Sequence, residues 1–328
     1  MTDPWISNTP QDLPDFILGG AMKSGTTTLH AMLAQHPDVG IAKDELGFFD
    51  MDDLKVHPDF NFFDNKSGSW STPDLTRDPK RYWDWYHTKF KTLQAPVKGE
   101  DSTTYLASEW AAARIAKQKK AIKLIFILRH PTRRTLSNYL HALKSGRAQH
   151  TLEQTLYHHP RSIIDRSLYR TQLEAYYTYF DKKEIKIILF EDLIASPKAC
   201  MEELCTFLQL DINKFPEEAF TVHSNKTKVP KYIGLQLLRN RWLRNYGMQR
   251  YSGFLPVATQ AYKKPNLPER VFHKIHKWVN PLRDTHRYTP KEATVALLDH
   301  FFKKEMEGID QLTGKAIYNR WFGGVNSG

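Results

Sequence analysis

The segment DFILGGAMKSGTTTLHAMLAQHPDV, residues 15–39, constrains the fold of this chain more than any other stretch. An apolar run ends at Gly19 and Gly20, and apolar residues then recur at helical spacing until His36 and Pro37. This pattern predicts a buried strand, a tight glycine loop and a helix. A unit of this kind is typical of a domain in which helices cover a parallel sheet.

The loop is close to the phosphate-binding motif G-x-x-x-x-G-K-[ST], with one departure. Gly20 and Gly25 have the spacing of the motif, and Thr27 fills its last position. Thr26 replaces the lysine, which occurs three positions earlier as Lys23. Glycines let backbone N–H groups converge on a phosphate, and the following helix N-terminus favours negative charge. A lysine inside the loop suits a ligand whose transferred group sits directly on a 5′-phosphate. The alternative is a glycine-rich turn with an exposed lysine.

Further apolar runs alternate with helical patterns. KAIKLIFILR, residues 120–129, and IKIILFEDL, residues 185–193, are typical of buried parallel strands. Helices are predicted over about 132–145 and, with an N-terminal capping signal, over 196–210. The stretch 50–96 is predicted to be irregular, polar and aromatic. The alternation predicts a parallel sheet with right-handed crossovers.

A second anion-binding pair is predicted in LRHPTRRTLSNYLH, residues 128–141. Arg129 follows a buried strand, and Ser137 lies on the next helix. Ligands in open α/β sheets bind at the carboxyl ends of the strands. An arginine and a hydroxyl there can hold a phosphate through charge-assisted hydrogen bonds. The alternatives are a surface salt bridge for Arg129 and a solvated helix position for Ser137.

Composition limits the compartment and the partners. The formal net charge of +11 favours anionic ligands such as nucleotides, acidic glycans, nucleic acid or an anionic membrane surface. Cys200 and Cys205 are too few for a disulfide framework and fit a reducing compartment. The N-terminal residues lack the pattern of a signal peptide, and no apolar run approaches the ~18 residues of a membrane span. The expectation is a cytoplasmic protein.

The chain is expected to form one domain over 1–328, with a mostly helical insertion at about 230–288. RNRWLRNYGMQRY, residues 239–251, is basic and aromatic. It fits a substrate lid, a nucleic-acid-binding surface or a helix in peripheral contact with a membrane. Residues 289–314 return to clean helical periodicity.

Taken together, these stretches resemble the PAPS-dependent sulfotransferases, in particular the carbohydrate branch that contains the heparan sulfate N- and 3-O-sulfotransferases and their bacterial relatives. The resemblance covers most of 14–230 and 288–321. It implies a P-loop-like three-layer α/β/α fold with a central parallel sheet, and a donor, PAPS, that leaves as PAP. Its supporting segments are FILGGAMKSGTTTLH, IFILRHPTRRTLSNYLH, DELGFFD, DWYHTKF, GEDSTTYL, NKTKVP and LLDHFFKKEMEGIDQLTGK.

The resemblance also implies a nucleotide site. Lys23 would contact the bridging oxygen of the leaving phosphate, and Arg129 and Ser137 would hold the 3′-phosphate. A basic loop with Lys226 and Lys228 would close over the nucleotide. The 5′-phosphate would be held by the loop and the first helical residues: Ser24, Gly25, Thr26, Thr27 and Thr28.

For the chemistry, the resemblance implies in-line transfer of the sulfuryl group to a hydroxyl or amine of a small-molecule or glycan acceptor, with carbohydrates and glycolipids favoured. Glu45 occupies the position of the catalytic base, and His141 matches a second candidate. No metal is required. One departure bears on the acceptor: the heparan-modifying enzymes carry a lysine in the segment where this chain has Glu100, Asp101 and Ser102.

Two other functional classes remain as alternatives, besides sulfation of a non-carbohydrate small molecule. A nucleotide kinase or NTPase with a degenerate loop would need an acid at a strand end, where this chain has Arg129. A nucleic-acid-binding module would lack the paired phosphate sites, so no nucleic-acid partner is expected.

Overall fold

The computed structural model describes residues 3–221, 228–243, 255–256, 267–284 and 288–323. Its centre is a sheet of five parallel strands in the order β2-β5-β1-β6-β7. These strands are β1 (Phe16–Gly20), β2 (Val39–Glu45), β5 (Val97–Asp101), β6 (Lys123–Leu128) and β7 (Ile185–Leu189). Two antiparallel pairs lie outside this sheet: β3 (Phe62–Asp64) with β4 (Ser69–Ser71), and β8 (Lys228–Pro230) with β9 (Leu282–Asp284).

Helices cover both faces of the sheet. In the described part of the chain they are α1 (Thr26–Leu33), α2 (Pro79–Lys91), α3 (Ala111–Ala116), α4 (Pro131–Ser145), α5 (Leu152–His158), α6 (Arg161–Ile164), α7 (Tyr169–Tyr177), α8 (Phe190–Ala195), α9 (Pro197–Leu208), α10 (Ile233–Trp242), α11 (Leu267–Val279), α12 (Glu292–Glu305), α13 (Ile309–Thr313) and α14 (Ile317–Phe322).

The three layers follow from the two-residue period of the buried strands. Ile125 and Ile127 of β6 face one hydrophobic cluster, which includes residues of α1 and α9. Leu124 and Phe126 face the other cluster, which includes residues of α2, α3, α7 and α12. Apolar residues therefore occur continuously along β6, because both faces of the strand are buried. The predicted three-layer α/β/α fold is confirmed.

Several local predictions were wrong. The stretch 50–96 is not irregular, since it contains the β3–β4 hairpin and α2, whose N-cap Asp78 accepts a hydrogen bond from the Arg81 backbone N–H. The strand predicted over 185–193 ends at Leu189, where α8 begins. Ser196 precedes α9 without a side-chain capping bond.

Within 230–288 the described residues contain α10, α11 and β9. Asn240 attaches α10 to α4 and the turn after it: its amide donates to the carbonyls of Leu143, at 2.9 Å, and Ala148, at 2.7 Å. Asn280, just after α11, exchanges hydrogen bonds with the backbone of Tyr232, just before α10. These contacts place the two helices side by side on the α4 side of the fold.

Candidate active site

The loop between β1 and α1 is shaped by two glycines. Gly25 has a φ of 101°, and a Cβ there would lie 2.6 Å from Cδ2 of Phe190. Gly20 has a φ of 132°, and a Cβ there would lie 2.7 Å from the carbonyl oxygen of Thr103. Lys23, between them, also has a positive φ of 68°. The chain can turn this tightly only because the glycines tolerate both the backbone conformation and the close approach.

The loop presents unpaired donors at the start of α1. The backbone N–H groups of Gly25, Thr26 and Thr27 donate to no acceptor in the described part of the chain. These are the N–H groups that a helix N-terminus leaves free, and they carry its partial positive charge. Thr27 is exposed, Thr28 is half-buried, and Ser24 and Thr26 are buried. The arrangement forms a cradle for an anion.

Arg129 follows β6 and reaches this loop. Its Nη1 donates to the carbonyl oxygen of Lys23 at 3.3 Å, and its guanidinium carbon lies 4.8 Å from the centre of the Phe190 ring. Its Nε has no hydrogen-bond partner among the described residues. Burial lowers the pKa of Arg129, although an arginine remains charged at neutral pH. A half-buried cation with an unused donor therefore lies beside the loop.

Helix α4 carries two more of the predicted residues on one face. Ser137 is buried, and His141 lies one turn later on the wall of a cavity. Of the predicted basic pair, Lys228 is exposed at the first position of β8, opposite Asp284. Lys226 lies outside the described residues.

Glu45 is the last residue of β2 and is paired in register with Asp101 of β5. Thr103 donates its hydroxyl to Oε2 of Glu45 at 2.8 Å. The side chain of Glu45 is exposed, but the protein packed around its carboxyl group desolvates it and raises its pKa. Asp101 raises it further, while Lys23 opposes the shift.

The pKa of Lys23 is shifted in the opposite direction to that of Glu45. Burial lowers the pKa of its ammonium to about 8, and the nearby Glu45 carboxylate partly offsets this. Each group therefore influences the titration of the other. The structure brings together a carboxylate and an ammonium that sequence analysis placed in one site.

The segment that departs from the heparan-modifying pattern has three separate roles. Asp101 pairs with Nδ1 of His30 at 3.1 Å. Ser102 accepts hydrogen bonds from the backbone N–H groups of Leu46 and Gly47, which fixes the turn after β2. The third residue, Glu100, is fully buried in the core. The reversed charge beside Glu45 thus belongs to Asp101, whose carboxylate is hydrogen-bonded to the ring of His30.

The turn after Glu45 is anchored in the core by two phenylalanines. Phe48 and Phe49 are both fully buried, and the Phe49 N–H donates to the hydroxyl of Tyr105 at 3.1 Å. Phe48 stacks on Tyr86 with ring centres 4.3 Å apart. Tyr86 and Trp83, which pack beside this turn, are buried core residues.

A cavity of about 580 Å³ opens beside the loop, next to Met22. Its walls come mainly from residues 53–59, 138–150 and 155–166. Charges of both signs line it in equal number: Lys55, Arg147, Arg161 and Arg166 against Asp53, Asp59, Glu109 and Asp165. The predicted insertion at about 230–288 contributes none of the described residues that line this cavity.

Sequence analysis missed Arg166, which links this cavity to the loop. Its Nη1 lies 2.8 Å from Sδ of Met22, and its Nη2 donates to the carbonyl of Val56 at 2.8 Å. Its charge also lowers the pKa of Glu45. No motif marks this arginine in the sequence, because its neighbours in the site come from distant segments.

Two structural features, a cluster of metal ligands and a membrane-spanning helix, are absent from the described residues. No group of three or more His, Cys, Asp or Glu side chains is arranged to hold a metal ion in that part of the chain. No described helix has the length and apolar character needed to cross a membrane.

Comparison with known proteins identifies related chains. A sequence model of the sulfotransferase family matches residues 14–214. Mouse heparan sulfate glucosamine 3-O-sulfotransferase 5 is 27% identical over 215 residues, which cover 61% of this chain and 54% of that protein. Human bifunctional heparan sulfate N-deacetylase/N-sulfotransferase 2 is 26% identical over 220 residues, covering 63% of this chain and 23% of that protein. The chain thus spans about half, or less, of the length of these relatives.

A solved structure supports the same relationship. The crystal structure of a sulfotransferase from Alicyclobacillus acidocaldarius superposes with a TM-score of 0.51 at 26% sequence identity. The superposition covers 62% of this chain and 84% of that one.

Proposed function

Because this chain belongs to the sulfotransferase family, we propose that it binds PAPS and transfers the sulfuryl group to an acceptor in the adjoining cavity. The observation that carries the proposal is the cradle itself. Free N–H groups of Gly25, Thr26 and Thr27 lie next to two cationic residues, Lys23 and Arg129, and the Arg129 guanidinium donates a hydrogen bond to the backbone carbonyl of Lys23. Neither cation forms an ion pair with a carboxylate among the described residues.

PAPS carries phosphate at two separate positions, 5′ and 3′, and a different group of hydrogen-bonding residues is proposed for each. The N–H groups at the start of α1, with the hydroxyls of Ser24 and Thr28 nearby, are proposed to hold the 5′-phosphate. Arg129 and Ser137 are proposed to hold the 3′-phosphate, with the unused Nε of Arg129 as one of the donors. Lys226, or Lys228 at the first position of β8, would add a further contact.

The proposed transfer forms an S–O bond to a hydroxyl acceptor, or an S–N bond to an amine, and breaks the bond between sulfur and the bridging oxygen of the 5′-phosphate. PAPS supplies the sulfuryl group, and PAP leaves. Glu45 takes the proton of the acceptor hydroxyl or amine as the new bond forms, and its raised pKa suits it to that role. Lys23 stabilises the negative charge that develops on the leaving phosphate. His141 on the cavity wall is the second candidate for the base.

The cavity suits a compact polar acceptor. Its four cationic and four acidic side chains balance, whereas a cleft for a highly sulfated polymer would need an excess of positive charge. Asp101 beside Glu45 also adds negative charge on the acceptor side. A sugar or a glycolipid head group is therefore proposed as the acceptor, with a non-carbohydrate small molecule as the second candidate.

Calorimetry with PAP tests the donor site. PAP is expected to bind in the presence of a chelator, and Arg129→Ala should weaken binding by about 1.5–3 kcal/mol, the contribution of a hydrogen bond to a charged group. Arg133→Ala is the matched control, because Arg133 is an exposed arginine on α4. Unchanged affinity in Arg129→Ala would remove this residue from the site. Tighter binding of ATP with Mg²⁺ than of PAP would favour the nucleotide kinase alternative and overturn the proposal.

A further inference from the structure

The positive charge of the protein is concentrated in one segment. Residues 228–288 contain 13 lysines and arginines but only 2 acidic residues, Glu269 and Asp284, so this segment alone carries +11. The other 267 residues hold 34 basic and 34 acidic side chains and are formally neutral. A surface of one sign in an otherwise balanced protein indicates an anionic partner at that surface.

Helix α11, in this segment, has an apolar stripe that faces solvent. Leu267, Val271, Ile275 and Trp278 recur at intervals of three and four residues, so they share one face. Leu267 is 71% exposed, Ile275 56% and Trp278 84%. None of the described side chains of α11 is buried. A stripe of this kind normally packs on a core, so its exposure needs a partner to explain it.

Helix α10 extends the apolar surface. Trp242 is 75% exposed and Leu238 49% exposed, and both line a groove of about 180 Å³ between the two helices. The opposite face of α10 is held on α4 by Asn240 and Gln236. The outward direction of the apolar face is therefore fixed by buried hydrogen bonds on the other side.

Basic side chains border this apolar surface. Arg270, Lys274 and Lys277 recur along α11 next to the stripe, and each is exposed. On α10, Arg241 is also exposed. An exposed tryptophan-containing stripe beside a row of lysines and arginines is the pattern of a helix that lies in the interface of an anionic bilayer.

We propose that the α10–α11 face, defined by Leu238, Trp242, Leu267, Val271, Ile275 and Trp278 with its basic border, docks this protein on an anionic phospholipid membrane surface. A polyanionic glycan or a nucleic acid would use the cations and leave the aliphatic stripe exposed to water. A protein partner is disfavoured because lysine is depleted in protein–protein interfaces. The interface of an anionic bilayer accommodates both the apolar stripe and its basic border. Apolar side chains enter the acyl boundary, and lysines reach the head groups.

Vesicle co-sedimentation of the full chain tests this surface. The protein should sediment with phosphatidylcholine vesicles that contain phosphatidylserine and stay in solution with phosphatidylcholine alone. The bound fraction should fall as salt is added. Ile275→Ser with Trp278→Ser removes apolar contact, and Lys274→Gln with Lys277→Gln removes two charges. Each pair should weaken partitioning by about tenfold or more.

Matched controls separate docking from folding. Trp70→Ser changes an exposed tryptophan on β4, and Lys303→Gln with Lys304→Gln changes two exposed lysines on α12. Both controls should partition like the unmodified protein, and circular dichroism should show all variants folded. Failure to sediment with the anionic vesicles overturns the proposal. So does unchanged partitioning of both α11 variants. A concentration-dependent dimer that these variants abolish, without vesicle binding, would identify the face as a contact between two copies instead.

Discussion

At the scale of single residues, the proposed chemistry depends on two side chains that shift each other's titration. The protein around Glu45 raises the pKa of its carboxyl group, and burial lowers the pKa of Lys23 to about 8. A base must be ionised to accept a proton, whereas Lys23 must be protonated to stabilise a leaving phosphate. Activity should therefore rise as pH passes the pKa of Glu45 and fall as pH passes the pKa of Lys23.

Glu45→Gln tests this assignment, because it keeps the shape of the side chain and removes the base. The kcat for a carbohydrate acceptor should fall by about 10²-fold or more, and the acidic limb of the kcat/KM profile should disappear. The alkaline limb, which belongs to Lys23 in the free enzyme, should remain but move to lower pH, because the Glu45 carboxylate raises the pKa of Lys23 in the unmodified protein. PAP affinity should stay within a few-fold. Stopped assays with labelled PAPS across a pH series measure all of these quantities.

Asp44→Asn is the matched control, because Asp44 is an exposed neighbouring carboxylate with a surface salt bridge to Lys89. It should leave kcat unchanged. If Glu45→Gln keeps near-normal turnover while His141→Ala loses it, the base is His141. If both variants remain active on a phenolic acceptor, that acceptor ionises without help.

Sequence analysis identified those residues of the candidate site that are positioned by nearby stretches of the chain. It did not identify those positioned by distant segments. Lys23 and the residues of α1 lie within one strand–loop–helix unit, so their proximity can be predicted from the local sequence. Arg129 follows a buried strand, and the ends of parallel strands share one edge of the sheet. Arg166 lies in a short 3₁₀ helix, Asp165–Ser167, and reaches Met22 and Val56 only through tertiary packing, so no local pattern marks it.

At the scale of elements, α10 and α4 connect the basic segment to the cavity. Asn240 of α10 is buried and satisfies the carbonyls of Leu143 and Ala148, and Arg241 donates to the carbonyl of Gln149. Ala148 and Gln149 line the cavity. Helix α10 therefore supports the cavity wall from behind, although it contributes no described residue to the lining.

Asn240→Ala should consequently disturb the acceptor site more than the donor site. Removing the amide leaves two buried carbonyl groups without their partner and costs about 1–3 kcal/mol locally. We expect the acceptor KM to rise several-fold while the PAPS KM stays within about twofold. Steady-state kinetics with each substrate varied separately measures this split. The control is Asn319→Ala, an exposed helical asparagine on α14. Equal changes in both KM values would show that α10 supports the whole fold instead.

The elements that sequence analysis identified are those buried on both faces. β1, β6 and β7 are mostly apolar, because helices cover both faces of these strands, including β7 at the edge of the sheet. β2 and β5 were missed for a physical reason. β2 ends in three charged residues at the sheet edge, and β5 reads VKGED, which resembles a polar loop. The carboxyl group of Glu100 in this strand is buried and accepts a hydrogen bond from Tyr86 of α2, which no local pattern predicts.

At the scale of the whole molecule, that buried carboxyl group is built into the larger hydrophobic cluster. Glu100 accepts hydrogen bonds from the hydroxyl groups of Tyr86, Tyr105 and Ser102, with Tyr105 at 2.5 Å and Ser102 at 2.6 Å. Both tyrosines are core residues that pack on the turn after Glu45. The group thus joins the sheet, α2 and the β2 turn, so its ionisation bears on the stability of the fold.

Burial raises the pKa of Glu100 from its ordinary value of 4.5 to about 7, although the three hydroxyl donors oppose the shift. Between these two pH values the folded protein holds a proton that the unfolded chain releases, so this group makes stability fall as pH rises.

Glu100→Gln keeps a neutral side chain at every pH. Relative to the variant, the unmodified protein should therefore lose about 3 kcal/mol of unfolding free energy across this window, at ~1.4 kcal/mol per pKa unit. Urea denaturation at a series of pH values measures the difference, with the exposed Glu218→Gln as control. A difference that stays constant with pH would mean that Glu100 is ionised throughout and that its three hydroxyl partners fully compensate its burial.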